Sequence, residues 1–221
     1  MTQTAEQILE DGLERFGLNV EPLARGKLLA YANLVLKQNL QTNLTGARSL
    51  QEFVTEQVLD SVSVLTVFRL RAPALDLGSG AGLPGIPLAI VHPKLELVLL
   101  EPRAKRVEFL RKAVDELGLG NVKVIQSSAH GPGARELSQA MKTVLVRAVA
   151  EPAKALQLAS GFVARGGFLV LYEGRAKSPA RSESRIARKQ GLSLVRAERV
   201  VVPGLGATRN IWIFQSPSPK G

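Results

Sequence analysis

DLGSGAGLPG, Asp76 to Gly85, joins an apolar run ending in an acid to a glycine-rich turn and then to the start of a helix. Pro73 to Leu77, PALDL, is short, apolar and opened by proline, and reads as a buried strand. Gly78, Gly80 and Gly82 let the backbone turn sharply and approach a ligand where a side chain would intrude. LPGIPLAIVHP then reads as a short helix whose first N–H groups face the same spot, the layout of a nucleotide-cofactor site.

Charge separates the cofactors that such a turn accepts. Gly80, Gly82 and Gly85 satisfy the dinucleotide fingerprint, and an acid, Glu101, stands about 20 residues further on, so a nicotinamide-dependent enzyme is one reading. A dinucleotide would lay an anionic pyrophosphate beside Asp76. S-adenosylmethionine carries an ammonium and a sulfonium there instead, which a carboxylate favours, and Glu101 can accept hydrogen bonds from the ribose of either ligand. The balance of charge favours S-adenosylmethionine, held by Asp76, Gly78, Ser79, Gly80, Gly82 and Glu101.

Composition narrows the class. The 221 residues, 45% of them hydrophobic, can bury one sizeable core. There is no cysteine, so no disulfide or thiolate site, and the two histidines, His92 and His130, are too few and too scattered for a histidine-built metal site. No apolar run approaches the roughly 20 residues that span a bilayer, and MTQTAEQILEDG is acidic where a signal peptide is basic. We expect a cytoplasmic, monomeric protein without metal or membrane.

The net charge of +10 is unevenly spread. Residues 1–70 carry 6 Lys plus Arg against 8 Asp plus Glu, whereas residues 71–221 carry 23 against 11. The excess gathers in RAKRVEFLRK, Arg103 to Lys112, and in the stretch Arg175 to Arg199. Basic clusters of this strength suit a polyanion, and neither has the leucine or aromatic face of an interfacial helix, so nucleic acid is the expected partner. Arg103, Lys105, Arg106, Arg185, Arg188, Lys189 and Arg209 are the candidate RNA contacts.

Periodicity gives a helical front and an alternating body. Ile8, Leu9, Leu13 and Phe16 share one helix face, Leu28, Tyr31 and Val35 a second, and Val54, Val58, Val62 and Leu65 a third. Strands and helices then alternate from PALDLG through LELVLLE, VKVIQS and KTVLVRAV to GGFLVLYEG, which implies right-handed βαβ units and a parallel sheet. Pro152 and Pro179 suit first helical positions, and Gly161 and Gly191 suit helix ends. LVRAERVVVPG and RNIWIFQ have no helix between them and read as an antiparallel hairpin, with Trp212 and Phe214 in the core. The expected fold is α/β: a Rossmann-like, doubly wound, mostly parallel class I methyltransferase sheet over 71–216, an N-terminal helical extension over 1–70 and a flexible tail at 217–221.

TNLTGARSLQEFVTEQVLDSVSVL, DLGSGAGLPGIPLAIVHP, LLEPRAKRVEFLRKAVDELGLGNVKVIQS and VRAVAEPAKAL resemble the successive blocks of the glucose-inhibited division protein B family. The similarity runs from about residue 40 to 175, and more weakly to Ile213. The resemblance implies a bacterial methyltransferase that modifies guanine N7 in 16S ribosomal RNA of the small subunit. It further implies that Gly78 and Leu83 contact the cofactor, that Ala129 and His130 flank its adenine, and that Arg147 lies beside the active pocket. The chain departs from the pattern where Gln57 replaces a histidine, where Ser128, Ala129 and His130 replace Arg-Ala-Glu, and where Glu173 replaces a lysine. Arg147 ends an apolar strand, where a charge needs a partner or a ligand. It is the expected positioning residue of a reaction without a general base. An RNA-binding protein that keeps the fold without turnover is the alternative from another class.

Overall fold

The computed structural model describes residues 3–174, 178–179 and 181–218. Three N-terminal helical segments come first: α1 (Ala5–Arg15), α2 (Pro22–Thr42) and a composite helix. The last consists of α3 (Leu50–Phe53), a π-helical turn (Val54–Leu59), α4 (Asp60–Val62) and a 3-10 turn (Ser63–Thr66). Thr4 caps α1 through a reciprocal pair of hydrogen bonds with Gln7, and Pro22 opens α2 where its missing N–H costs nothing. Asn43 ends α2 in the left-handed conformation at φ 47° and serves as its helix cap. The third apolar face predicts one regular helix. The structure widens it to a π-turn over Val54–Leu59.

Seven strands form one sheet: β1 (Ala74–Leu77), β2 (Leu97–Glu101), β3 (Val122–Gln126), β4 (Met141–Arg147), β5 (Val163–Glu173), β6 (Ser193–Val201) and β7 (Thr208–Gln215). Their spatial order is β3-β2-β1-β4-β5-β7-β6, parallel through β5 and antiparallel in β7 and β6. The helices between them are α5 (Gly85–Val91), α6 (Ala104–Glu116), α7 (Pro152–Ser160) and α8 (Arg181–Lys189), with a 3-10 turn at Pro132–Leu137. Pro152 opens α7, whereas Pro179 stands before the first residue of α8. Ala180, like residues 175–177 of the basic stretch and 219–221 of the tail, lies outside the described residues. Of that tail, Pro217 accepts a hydrogen bond from Gly166 N–H.

Alternate residues of the strands feed two separate apolar clusters. Leu99, Leu145, Val170 and Ile213 face Leu9, Leu28, Tyr31, Phe53, Ile86 and Leu110. Leu75, Val144, Leu171, Trp212 and Phe214 face Leu156, Ala159 and Ala187. The N-terminal helices, α5 and α6 therefore cover one face of the sheet, and α7 and α8 the other. The N-terminal extension shares its cluster with the sheet and has no core of its own. With β1 flanked by β2 on one side and β4 on the other, chain order reverses between β1 and β4, and a crevice opens at their carboxyl ends.

Candidate active site

The glycine turn leaves the end of β1 at this crevice. Gly78, Gly80 and Gly82 have φ of +72°, +59° and +98°, conformations that side chains strongly disfavour. Gly78 and Ser79 N–H both donate to the Leu100 carbonyl, and the Ser79 carbonyl accepts from Gly82 and Leu83. The Ser79 hydroxyl returns to the Asp76 carbonyl at 2.9 Å. Tyr31 of α2 reaches over and donates its buried hydroxyl to the Ala81 carbonyl at 2.9 Å, so the N-terminal extension holds the turn from above.

Both acids of the motif sit under the turn. Glu101, 2% exposed, accepts from Gly80 N–H through Oε2 at 2.9 Å and from Arg103 N–H through Oε1 at 3.0 Å. It pins the turn to the end of β2, and each carboxylate oxygen keeps a second lone pair for a ribose hydroxyl. Asp76, 1% exposed, accepts from Gly85 N–H through Oδ2 at 2.9 Å, and its Oδ1 has no partner. Burial pushes this carboxyl from the ordinary 3.8 up to about 7, against the pull of the Gly85 N–H and the Arg147 charge. Only glycine fits at position 85, because a Cβ there would stand 2.4 Å from Leu99 Cδ2 and 2.7 Å from Asp76 Oδ2. A bare-backbone cradle with an orphaned buried carboxylate oxygen suits a small cationic cofactor. Asp76, Gly78, Ser79, Gly80, Gly82 and Glu101 would hold it.

Beside the turn, β4 ends in Arg147, whose neighbour Ala148 adopts φ 54°, a strained conformation that concentrates at functional sites. Arg147 donates from Nη1 to Asp60 Oδ2 at 2.8 Å and from Nη2 to Gln57 Oε1. Arg209 of β7 donates from Nε to the other oxygen of Asp60, also at 2.8 Å. The Tyr172 hydroxyl donates to the Ser61 carbonyl at 2.7 Å, and burial pushes its pKa well up. These groups wall a cavity of about 590 Å³ that also carries Glu56, Glu151 and Glu173. Gln57 and Glu173, two of the departures from the family pattern, thus meet in one pocket. Asp60 and Gln57 were not among the expected site residues. Their signal in the sequence is the run EQVLDS, Glu56 to Ser61, but the partners lie 87 to 149 residues away.

The other expected residues separate. Leu83 is buried at the turn. Ala129 and His130 line a different cavity, of about 450 Å³, with Arg135, Gln157 and Leu158, and it shares no residue with the first. Arg103 and Lys105 are exposed, whereas Arg106 is half-buried and its Nη1 lies 3.7 Å from where a Cβ on Gly80 would stand. Arg185, Arg188 and Lys189 are exposed on α8. The two basic clusters therefore lie on opposite faces of the sheet, and Arg209 belongs to the pocket.

Comparison with known proteins agrees with the fold. Residues 24–211 match the family model described as rRNA small subunit methyltransferase G. A ribosomal RNA small subunit methyltransferase G of Chromohalobacter salexigens is 38% identical over 95% of this chain and 96% of its own. Its counterpart in Azoarcus sp. is 34% identical over 93% and 94%. Among solved structures, a methyltransferase from Pyrococcus furiosus superposes with a TM-score of 0.60 at 16% identity, covering 87% of this chain and 98% of that one. A precorrin-6y C5,15-methyltransferase from Geobacter metallireducens gives 0.54 at 15% identity, over 80% and 95%. With seven strands in the class I methyltransferase order and a family match spanning most of its length, the chain belongs to the rRNA small subunit methyltransferase G family.

Proposed function

We propose that this protein transfers a methyl group from S-adenosylmethionine to N7 of a guanine in 16S ribosomal RNA, acting as a monomer in the cytoplasm. The observation that carries the reading is the meeting, at the β1/β4 crevice, of the glycine turn and its two buried acids with the Arg147 pocket. Family membership supplies the substrate class, since the relatives are named for methylating small-subunit ribosomal RNA. Among the described residues no helix is long and apolar enough to cross a membrane.

Bound S-adenosylmethionine supplies an electrophilic methyl on a sulfonium. The backbone of Gly78 to Gly82 gives the close approach, Glu101 offers acceptors to the ribose, and Asp76 provides negative charge under the turn. Guanine N7 has an in-plane lone pair and no hydrogen, so no proton is removed in the transition state and no general base is required. The protein's task is alignment, which accounts for several kcal/mol of the barrier. Arg147, fixed by Asp60 and Gln57, positions the substrate. Glu56, Glu151 and Glu173 favour the positive charge that the purine acquires as the sulfonium loses its own.

The test is incubation of purified protein with small-subunit RNA and labelled cofactor, beside calorimetric titration of S-adenosylmethionine and of NAD. We expect transfer to RNA, S-adenosylmethionine binding and no NAD binding. Asp76→Ala weakens cofactor binding by about tenfold, as expected when a charge-assisted interaction of about 1.5 kcal/mol is removed. NAD binding in place of S-adenosylmethionine, or cofactor binding with no mark left on RNA, would contradict the reading.

A further inference from the structure

We propose that Asp60 is a positioning residue for methyl transfer: its one carboxylate fixes the guanidinium groups of Arg147 and Arg209 on the wall of the substrate pocket and acts on the reaction through them. The proposal rests on the methyl-transfer reading of that pocket. Asp60 lies in the composite N-terminal helix, Arg147 at the end of β4 and Arg209 on β7, so a single side chain ties three elements at this cavity. Its side chain is 5% exposed, and each of its oxygens takes a different arginine at 2.8 Å.

The hydrogen bonds around the trio show what this arrangement fixes. Gln57, Asp60 and Ser61 present three acceptors from one helical segment, and all three engage Arg147: Nη2 meets Gln57, while Nη1 meets Asp60 and, at 3.5 Å, the Ser61 hydroxyl. The π-turn ends at Leu59, directly before Asp60, and such turns recur at functional sites. Arg209 is held differently. Asp60 takes its Nε, the one nitrogen that is not part of the terminal fork. That fork lies beside Gly174 in the pocket lining, with Nη1 3.5 Å from where a Cβ on that glycine would be, on a side chain 27% exposed. A guanidinium gripped at Nε on a partly exposed side chain keeps its two terminal nitrogens for a bidentate contact with a phosphate, here the RNA backbone next to the target nucleotide. Stability does not account for the trio, because a buried ion pair contributes little once desolvation is counted. The two guanidinium groups line the pocket alongside Glu56, Glu151 and Glu173, in an orientation set by Asp60.

The experiment is a mutant cycle read by single-turnover transfer to small-subunit RNA at saturating cofactor. Cofactor affinity and thermal unfolding are measured on every variant. Asp60→Asn keeps the shape and one acceptor oxygen and removes the charge. We expect it to fold, to bind S-adenosylmethionine within about twofold of the parent, and to lose about tenfold to a hundredfold in kcat/KM for RNA. In an Arg147→Ala/Arg209→Ala background the same change should cost no more than about twofold. An Asp60→Asn enzyme as active as the parent, or an equal loss in that background, would overturn the proposal. Should Asp60→Asn fail to fold, Gln57→Leu removes one grip on Arg147 without touching the ion pairs. It should lower kcat/KM by about threefold to tenfold at unchanged cofactor affinity, and a parental rate would count against positioning.

A parent protein that transfers no methyl group to RNA contradicts the substrate reading separately. The clamp is then decided by the affinity for a short single-stranded RNA containing one guanosine. Asp60→Asn should weaken that affinity in the parent and leave it unchanged in Arg209→Ala. Equal weakening in both, or no binding by the parent, overturns the clamp as well.

Discussion

Asp76 is an acid in the interior of a parallel sheet, with Leu99 on one neighbouring strand and Leu145 on the other in register with it. The carboxyl, raised from 3.8 to about 7, makes a prediction about pH with a definite sign. Between those values the folded chain holds a proton that the unfolded chain has released, so stability is greatest below pH 4 as far as this group is concerned and falls as pH rises toward 7. At 1.36 kcal/mol for each pH unit the loss is about 4 kcal/mol at most. Asp76→Asn, which cannot ionise and still accepts from Gly85, should melt above the parent at pH 8 and converge with it near pH 4.5. Cofactor affinity of the parent should climb up to about pH 7 and then level, because a cationic ligand favours the ionised acid, and the Asn variant should lose that climb. Parallel melting curves at every pH would show that Asp76 is ionised in the free protein. That this acid stood beneath a glycine turn was legible in the sequence, since Asp76 and the glycines are neighbours in the chain. Its orphaned oxygen was not legible, because that depends on how completely the fold buries the carboxyl.

At the scale of elements, β1, the turn and α5 act as one unit. Gly85 illustrates the coupling: alanine gains up to about 1 kcal/mol of helix propensity over glycine, but the added methyl meets Leu99 and Asp76 well inside contact distance. Overpacking of this kind costs about 1–3 kcal/mol, so Gly85→Ala should lower the melting temperature by several degrees and weaken cofactor binding. An unchanged melting temperature would mean that β2 yields freely. The unit could be read from residues because a proline-led apolar run, glycines and a short apolar helix are local signals. The π-turn could not, for its widening is set by packing of Val54, Val58 and Leu59 in the shared core. Nor could the grip of Gln57 and Asp60 on Arg147, which the spacing of valines conceals and only the docking of the composite helix against β4 reveals.

Across the whole molecule, the mostly parallel sheet with a terminal antiparallel hairpin, expected from the alternating strands, agrees with the structure, and the N-terminal helices complete the site by holding the turn through Tyr31 and the pocket through Asp60. Charge distribution is where the linear sequence misleads. Two basic clusters suggest one docking surface, but α6 and α8 lie on opposite faces of the sheet. RNA that touches both must wrap an edge of the sheet, and the two patches should therefore contribute separately. Substituting Arg185, Arg188 and Lys189 with alanine should flatten the salt dependence of RNA affinity by about 0.7 in the log–log slope for each phosphate no longer neutralised, and should leave cofactor affinity alone. A slope equal to the parent's would assign α8 to solvent.

The central claim is methyl transfer to guanine N7 by alignment without a base, and single-turnover transfer from labelled cofactor to small-subunit RNA, with the modified nucleoside identified by mass spectrometry, tests it most directly. At saturating cofactor the account predicts 7-methylguanosine formed at a rate nearly independent of pH from about 6 to 8.5, with Arg147→Ala slower throughout and His130→Ala unaffected. A rate rising about tenfold per pH unit, or a methyl group found on carbon or ribose, would contradict it.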